Sequence, residues 1–335
     1  MTLLRAVLKT SDLIVKNVPF LKETHSRFPT LDPFLYQLIQ LKQKRNIPRL
    51  HELDIQSARE LYRKETARIK ANFLVKSVEN IQIPVSNTNL EARVYTPKKG
   101  IPNILVYFHG GGGVIGDLET HDDLCRLICR NSGMIVISIA YRLAPEYKFP
   151  IAHIDAFESS KWLYENRDQF SVLNDGIFLA GDSFGANLAI HAGLEMIRHG
   201  FPVLGQLLLY PSVDYSQEYP SENLYGDGLF LDTLDRKWFQ KHVLNHEQLI
   251  NPLISPILYS DVKLSPKTLL RTAELDVLRD EAEAYAEKLR MNKIVVNFKR
   301  EIGVGHAYGN LIGVNQLSYS YIVEAVHSFI ELVKA

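Results

Sequence analysis

Ser183 stands between Gly181 and Gly185 in the run GDSFGAN. That spacing lets a hydroxyl project from a sharp turn with no neighbouring side chain in its way. A serine so placed can attack a carbonyl carbon once a base takes its proton. G-x-S-x-G alone is a weak signal, and a loop serine that merely caps the following helix is the bland alternative. The apolar run IFLA before it and the helical pattern after it supply the strand–turn–helix setting that a nucleophile elbow requires.

A second run, HGGGG at 109–113, directly follows the apolar segment NILVYF. Attack on an ester or amide carbonyl creates a negative oxygen. It is stabilised by N–H donors already aimed at it, each worth ~3 kcal/mol in known cases. Consecutive glycines can present such donors without obstruction. A phosphate cradle would close on Lys and Ser or Thr, whereas Val114 and Ile115 follow here.

The base and its partner are sought downstream. Only His306 and His327 lie far enough along the chain. His327 falls inside the final amphipathic helix, while His306 occupies the glycine-rich segment IGVGHAYGN. Asp276 follows the strand TLLRTAEL at its carboxyl end, where α/β sheets gather ligands. Glu274, within that strand's end, and Asp280, on the next helix, rank behind it. In this scheme His306 takes the Ser183 proton and returns it to the leaving group. Asp276 holds the imidazole in place and stabilises its charged form.

These residues must be held by a scaffold, and the hydropathy pattern describes one. SVENIQIPV and LEARVYTP alternate apolar and polar residues as half-buried strands do. NILVYFH, MIVISIAY, GIFLAG, GQLLLYP and TLLRTAEL are short continuous apolar runs, separated by helical patterns. Continuous apolar strands alternating with helices predict an α/β fold, a mostly parallel sheet covered on both faces. Residues 1–72 read as helices and connectors. The stretch 214–260, with a helix near DTLDRKWFQKHVL, interrupts the alternation and is too long for a simple connection. The expected division is a core at 73–213 and 261–335, with accessory pieces at 1–72 and 214–260.

Composition narrows the partners. Lys plus Arg and Asp plus Glu both number 38 in 335 residues, so the chain lacks the basic balance of a nucleic-acid binder. No run approaches the roughly 20 apolar residues of a transmembrane helix. The N-terminal MTLLRAVLKTSDLIVKNVPFLK interrupts its apolar residues with Arg5, Lys9 and Lys16. It therefore lacks the continuous apolar stretch of a signal peptide, and a cytoplasmic location is expected. Such an amphipathic segment could contact a membrane surface, although packing onto its own protein is the commoner use. Cys125 and Cys129, four apart on one helix, read as small apolar residues; neither a disulfide nor a metal site is expected.

Taken together, HGGGGVIGDLETHD, YRLAPEYKFPIAHIDAF, GDSFGAN, YPSVD, TAELDVLRDEAEAYAEKL and GVGHAYG resemble, in order, the hormone-sensitive-lipase-like esterases of the α/β-hydrolase superfamily. The resemblance runs from about residue 75 to the end. It implies an eight-stranded sheet, a helical cap built from the two accessory pieces, and a cofactor-free hydrolase of short- to medium-chain acyl esters. It also implies oxyanion donors at Gly111, Gly112 and Phe184, with the four-glycine run leaving a slip to Gly110 open. His109 and Gly110 then support the loop, and Gly113, Phe230 and Tyr308 are expected at the substrate pocket.

The chain departs from the family pattern by having Phe184 where alanine is usual and Gly113 where a bulky residue is usual, a pair expected to reshape the acyl pocket. Ala140, Ala186 and Ala307 are lesser departures. Two other readings stay open: a non-catalytic small-molecule receptor, and another serine acyl-transfer enzyme such as an amidase or acyltransferase. Assembly into a homo-oligomer is compatible with either.

Overall fold

The computed structural model describes residues 27–100, 103–172 and 175–334, so the amphipathic N-terminal stretch read above lies outside the described residues. Eight strands form one sheet: β1 Ser77–Val85, β2 Thr88–Thr96, β3 Ile104–Phe108, β4 Ile135–Ile139, β5 Ile177–Asp182, β6 Val203–Leu209, β7 Thr268–Leu275 and β8 Val296–Gly305. Their order is β1-β2-β4-β3-β5-β6-β7-β8. β2 runs antiparallel to both β1 and β4, and all other pairings are parallel.

Each strand feeds two separate cores. In β3, Ile104, Val106 and Phe108 join the cluster on one face, while Leu105 and Tyr107 join the other. This period of two, with every residue apolar, is why the strand reads as a continuous hydrophobic run. The first face is covered by α4 (Ile151–Glu165), α5 (Phe184–Arg198) and α8 (Arg279–Met291), the second by α3 (Asp122–Ser132) and α9 (Gln316–Lys334). Cys125 and Cys129 are free and fully buried on α3, more enclosed than their spacing suggests.

The chain leaves β3 for β4 on one side and leaves β5 for β6 on the other. The loops after β3 and β5 therefore diverge, and a crevice opens where the strand order reverses. HGGGG begins one of those loops and Ser183 sits on the other.

The remaining helices lie outside the sheet. In the N-terminal piece, α1 (Pro33–Lys44) is capped by the Asp32 carboxylate, which accepts from Phe34 and Leu35 N–H. Asp54 caps α2 (Ile55–Arg68) through Ser57 N–H. The 214–260 stretch contributes α6 (Pro220–Tyr225), which its proline-containing sequence did not suggest, and the expected helix α7 (Thr233–Val243). No strand occurs among the described residues before Ser77.

Candidate active site

β5 ends at Asp182, and the chain turns into α5 through Ser183 at φ 54°, ψ −122°. This is a left-handed backbone that costs on the order of 1–3 kcal/mol for a residue with a side chain. The turn is tight because a side chain at Gly181 would strike Gly185, and one at Gly185 would strike the Phe108 carbonyl. The strain is held by the sheet: Ser183 N–H donates to Leu209 O at 2.9 Å, and its carbonyl accepts from Ser212 N–H. The side chain makes no capping bond to α5. That disposes of the helix-cap reading, and the hydroxyl points elsewhere.

Ser183 Oγ lies 2.9 Å from His306 Nε2, and His306 Nδ1 lies 2.8 Å from Asp276 Oδ2. The carboxylate can only accept, so Nδ1 carries the proton and Nε2 is left to receive one from the hydroxyl. Asp276 Oδ1 accepts from Leu278 N–H at 3.0 Å, which fixes the carboxylate plane. Three loops, after β5, β7 and β8, thus deliver three side chains to one line. All three residues are buried, shielding their interaction from water. The competing residues are engaged away from it. Glu274 accepts from Gly303 N–H, Asp280 accepts from Ser221 N–H, and His327 is exposed on α9.

The glycine run forms the facing wall. Gly111, Gly112 and Gly113 have φ of 112°, 60° and 73°, a succession that residues with side chains rarely adopt. Phe184 is the first residue of α5, so its N–H has no partner within the helix. Ser183, Gly111, Gly112, Phe184 and His306 border one cavity of about 100 Å³, which Phe230, Phe239 and Arg236 also line.

Beneath the loop, Asp182 Oδ1 accepts from Gly110 N–H at 2.8 Å and from Tyr107 Oη at 2.6 Å, with His121 Nε2 3.5 Å away. Burial opposes ionisation of this carboxyl. His121 and the two donors outweigh it and hold the group below the usual carboxylate range. His109 donates from Nδ1 to Gly110 O at 2.8 Å and stacks on Tyr141 at 4.4 Å. Burial, reinforced by His121, pushes its imidazole down to about 4, so it stays neutral and braces the loop.

Two pocket expectations need correcting. Tyr308 is fully buried and packs on Tyr210 and Tyr321, at 5.0 and 6.3 Å between rings. The short helical turn Tyr308–Leu311 rolls its side chain into the core behind His306, away from the cavity. Gly113 is likewise not on the cavity wall. A Cβ there would meet the Phe184 ring at 2.9 Å and Val243 at 3.2 Å. The Phe184 ring itself is 1% exposed, edge-on to His153. Phe184 and Gly113 are therefore complementary: the aromatic ring rises from the elbow into space that only a glycine leaves free. Phe230 does line the cavity.

Asp182, Arg236 and Tyr62 are contributors the sequence reading passed over. Asp182 adjoins the serine within the motif and could have been found there. The other two sit in ordinary amphipathic helices with no distinguishing signal. Among the described residues no group of three or more His, Cys, Asp or Glu is arranged to hold a metal ion, and no helix is long and apolar enough to cross a membrane.

An eight-stranded, mostly parallel sheet with a serine on the turn after β5 is the arrangement of an α/β hydrolase. A family model described as alpha/beta hydrolase fold matches residues 105–310, and the chain belongs to that family, among its hormone-sensitive-lipase-like esterases. It is 37% identical over 244 residues to the carboxylic ester hydrolase LipN of Mycobacterium tuberculosis, covering 70% of this chain and 65% of that protein. It is 32% identical over 281 residues to an arylesterase of Saccharolobus solfataricus, covering 83% and 92%. The match to LipN thus spans a little under two thirds of that relative. Among solved structures, an esterase of Pyrobaculum calidifontis superposes with a TM-score of 0.85 at 34% identity, covering 91% of this chain and all of the other. A thermostable esterase of Pseudomonas putida gives 0.87 at 29% identity, covering 92% and 99%.

Proposed function

We propose that this protein is a serine carboxylesterase acting on small esters with short- to medium-chain acyl groups. The observation that carries the reading is the unbroken line Asp276–His306–Ser183, with both links under 3 Å, ending at a cavity bordered by Gly111, Gly112 and Phe184. Ser183 Oγ bonds to the ester carbonyl carbon as its proton passes to His306 Nε2. The N–H groups of Gly111, Gly112 and Phe184 hold the resulting oxyanion. The carbon–oxygen bond to the alcohol then breaks, and Nε2 returns the proton to the leaving oxygen. Water, deprotonated by the same nitrogen, releases the acid and restores Ser183. Among the described residues, those of 27–72 and 214–260 act as a cap over the cavity, and those of 73–213 and 261–334 form the catalytic core.

A series of p-nitrophenyl esters of graded chain length tests this. Wild type should cleave the short members, and Ser183→Ala should lower kcat by roughly 10⁴- to 10⁶-fold. Activity surviving in the variant would remove Ser183 as nucleophile. A wild type inert on every ester would point to a binding role instead.

A further inference from the structure

The glycine loop cannot position itself. Four successive residues without side chains, at 110–113, offer nothing to pack, so the aim of their N–H groups depends on what grips the loop from outside. From below, Asp182 holds Gly110. At the far end, Gly111 O accepts from Val114 and Ile115 N–H, and Gly113 O accepts from Ala144 N–H at 2.8 Å.

The carbonyls of Val114 and Ala144 are in turn held by one side chain, Arg59 of α2. Its Nε donates to Val114 O at 2.8 Å and its Nη2 to Ala144 O at 2.9 Å. Nη1 and Nη2 each reach a different oxygen of Glu146 at 2.8 Å. One guanidinium therefore ties the residue that follows Gly113 to the residue that anchors Gly113. The Arg59 side chain is 18% exposed, and the fork geometry that satisfies two carbonyls and a carboxylate together is one a lysine cannot reproduce.

We infer that Arg59 is a positioning residue for the oxyanion donors, so that seating of the N-terminal cap helix and assembly of the oxyanion site are one event. The inference rests on the esterase reading for its kinetic consequence, but not for its structural one. Donors aimed at an oxyanion act on the transition state and little on the bound ester, so losing their aim lowers kcat and spares KM.

The experiment measures Arg59→Gln and Arg59→Lys in the full chain. It combines ester kinetics with amide hydrogen exchange over residues 110–116. Both variants should exchange at least tenfold faster in that segment. Both should lose ten- to a hundredfold in kcat, with KM changed less than threefold. The lysine variant should fail to rescue, because it retains charge without the fork. Exchange unchanged in both variants would overturn the clamp, while faster exchange with full kcat, or a loss carried entirely by KM, would overturn the positioning role. Glu146→Gln guards against misfolding: it leaves both carbonyl contacts in place and should show a smaller change of the same kind. If wild type cleaves no ester, the esterase reading fails by itself, and the exchange data still decide whether Arg59 holds the loop.

Discussion

Helix α2 is fastened to the core by several contacts of mixed exposure, from Arg59 at 18% to Arg63 at 60%, whereas helix α7, across the same cavity, is fastened through one arginine enclosed between two carboxylates. Along α2 and just after it, Arg63 pairs with Asp117, Lys70 with Glu119, and the N–H groups of Ala71 and Asn72 donate to Asp123. The Arg63 side chain is 60% exposed. On α7, Arg236 lies between Glu222 and Glu281, and its Nη2 also donates to Asp214 O at 2.6 Å. The Glu281 side chain is completely enclosed and accepts from Val213 N–H at 2.8 Å through its other oxygen.

Exposed pairs are worth up to about 1 kcal/mol each and weaken with salt. A buried pair adds little net stability, yet removing one partner strands the other and is severe. The two halves of the proposed cap therefore differ in kind. The outer pairs of α2 can be lost in small steps around the Arg59 contacts, whereas the α7 attachment holds until it breaks.

Arg236→Met is the harshest test of that contrast. It leaves two carboxylates without a counter-charge and should cost about 3–5 kcal/mol, read from the urea midpoint at constant m-value. A loss under about 1 kcal/mol would erase the distinction between the two attachments.

Acidity offers a second test. Burial pushes Glu281 up to about 7, against the pull of Arg236 and the Val213 and Asp214 N–H groups. The folded state then binds the proton more tightly than the unfolded chain does. Glu281's contribution to stability is full below its ordinary value of 4.5 and is lost as pH rises through about 7. The total change is on the order of 3 kcal/mol.

His109 and His153, both pushed down to about 4 chiefly by burial, act with the opposite sign. Their contribution is present above about 6.5 and is lost as pH falls toward 4. Urea titrations of wild type and Glu281→Gln across pH 4.5–7.5 separate the two effects by subtraction. A difference that does not decline with rising pH would mean that Glu281 remains ionised throughout.

The smallest effect belongs to α2. Arg63→Ala should cost less than about 1 kcal/mol. Raising sodium chloride from 0.05 to 1 M should speed amide exchange in α2 while leaving α7 unchanged. Equal responses in the two helices would show that burial of Arg236 does not set its attachment apart.

The catalytic candidates were legible in the sequence because their chemistry demands particular residue types at strand ends. A serine between two glycines, a glycine run after a strand, and an Asp and His in chain order can be found without coordinates. The strands could be read for the same reason: burial on both faces leaves a continuous apolar run. Arg59 and Arg236 could not be found this way. Each is one arginine among several on an amphipathic helix, and periodicity says which face it occupies but not which carbonyl or carboxylate waits opposite. Tyr308 misled because a glycine-rich segment beside His306 looks open, whereas the helical turn that follows rotates the ring inward.

By itself the sequence determined the fold class and the Ser183, His306 and Asp276 candidates, since local pattern and residue chemistry suffice for both. Only the tertiary structure decided that the Phe184 ring fills the space beside Gly113, that Tyr308 faces the core, and that α2 grips the glycine loop. Those outcomes depend on contacts between residues 55 to 98 positions apart in the chain, from Arg59 with Val114 to Tyr210 with Tyr308, and no local propensity encodes such distances.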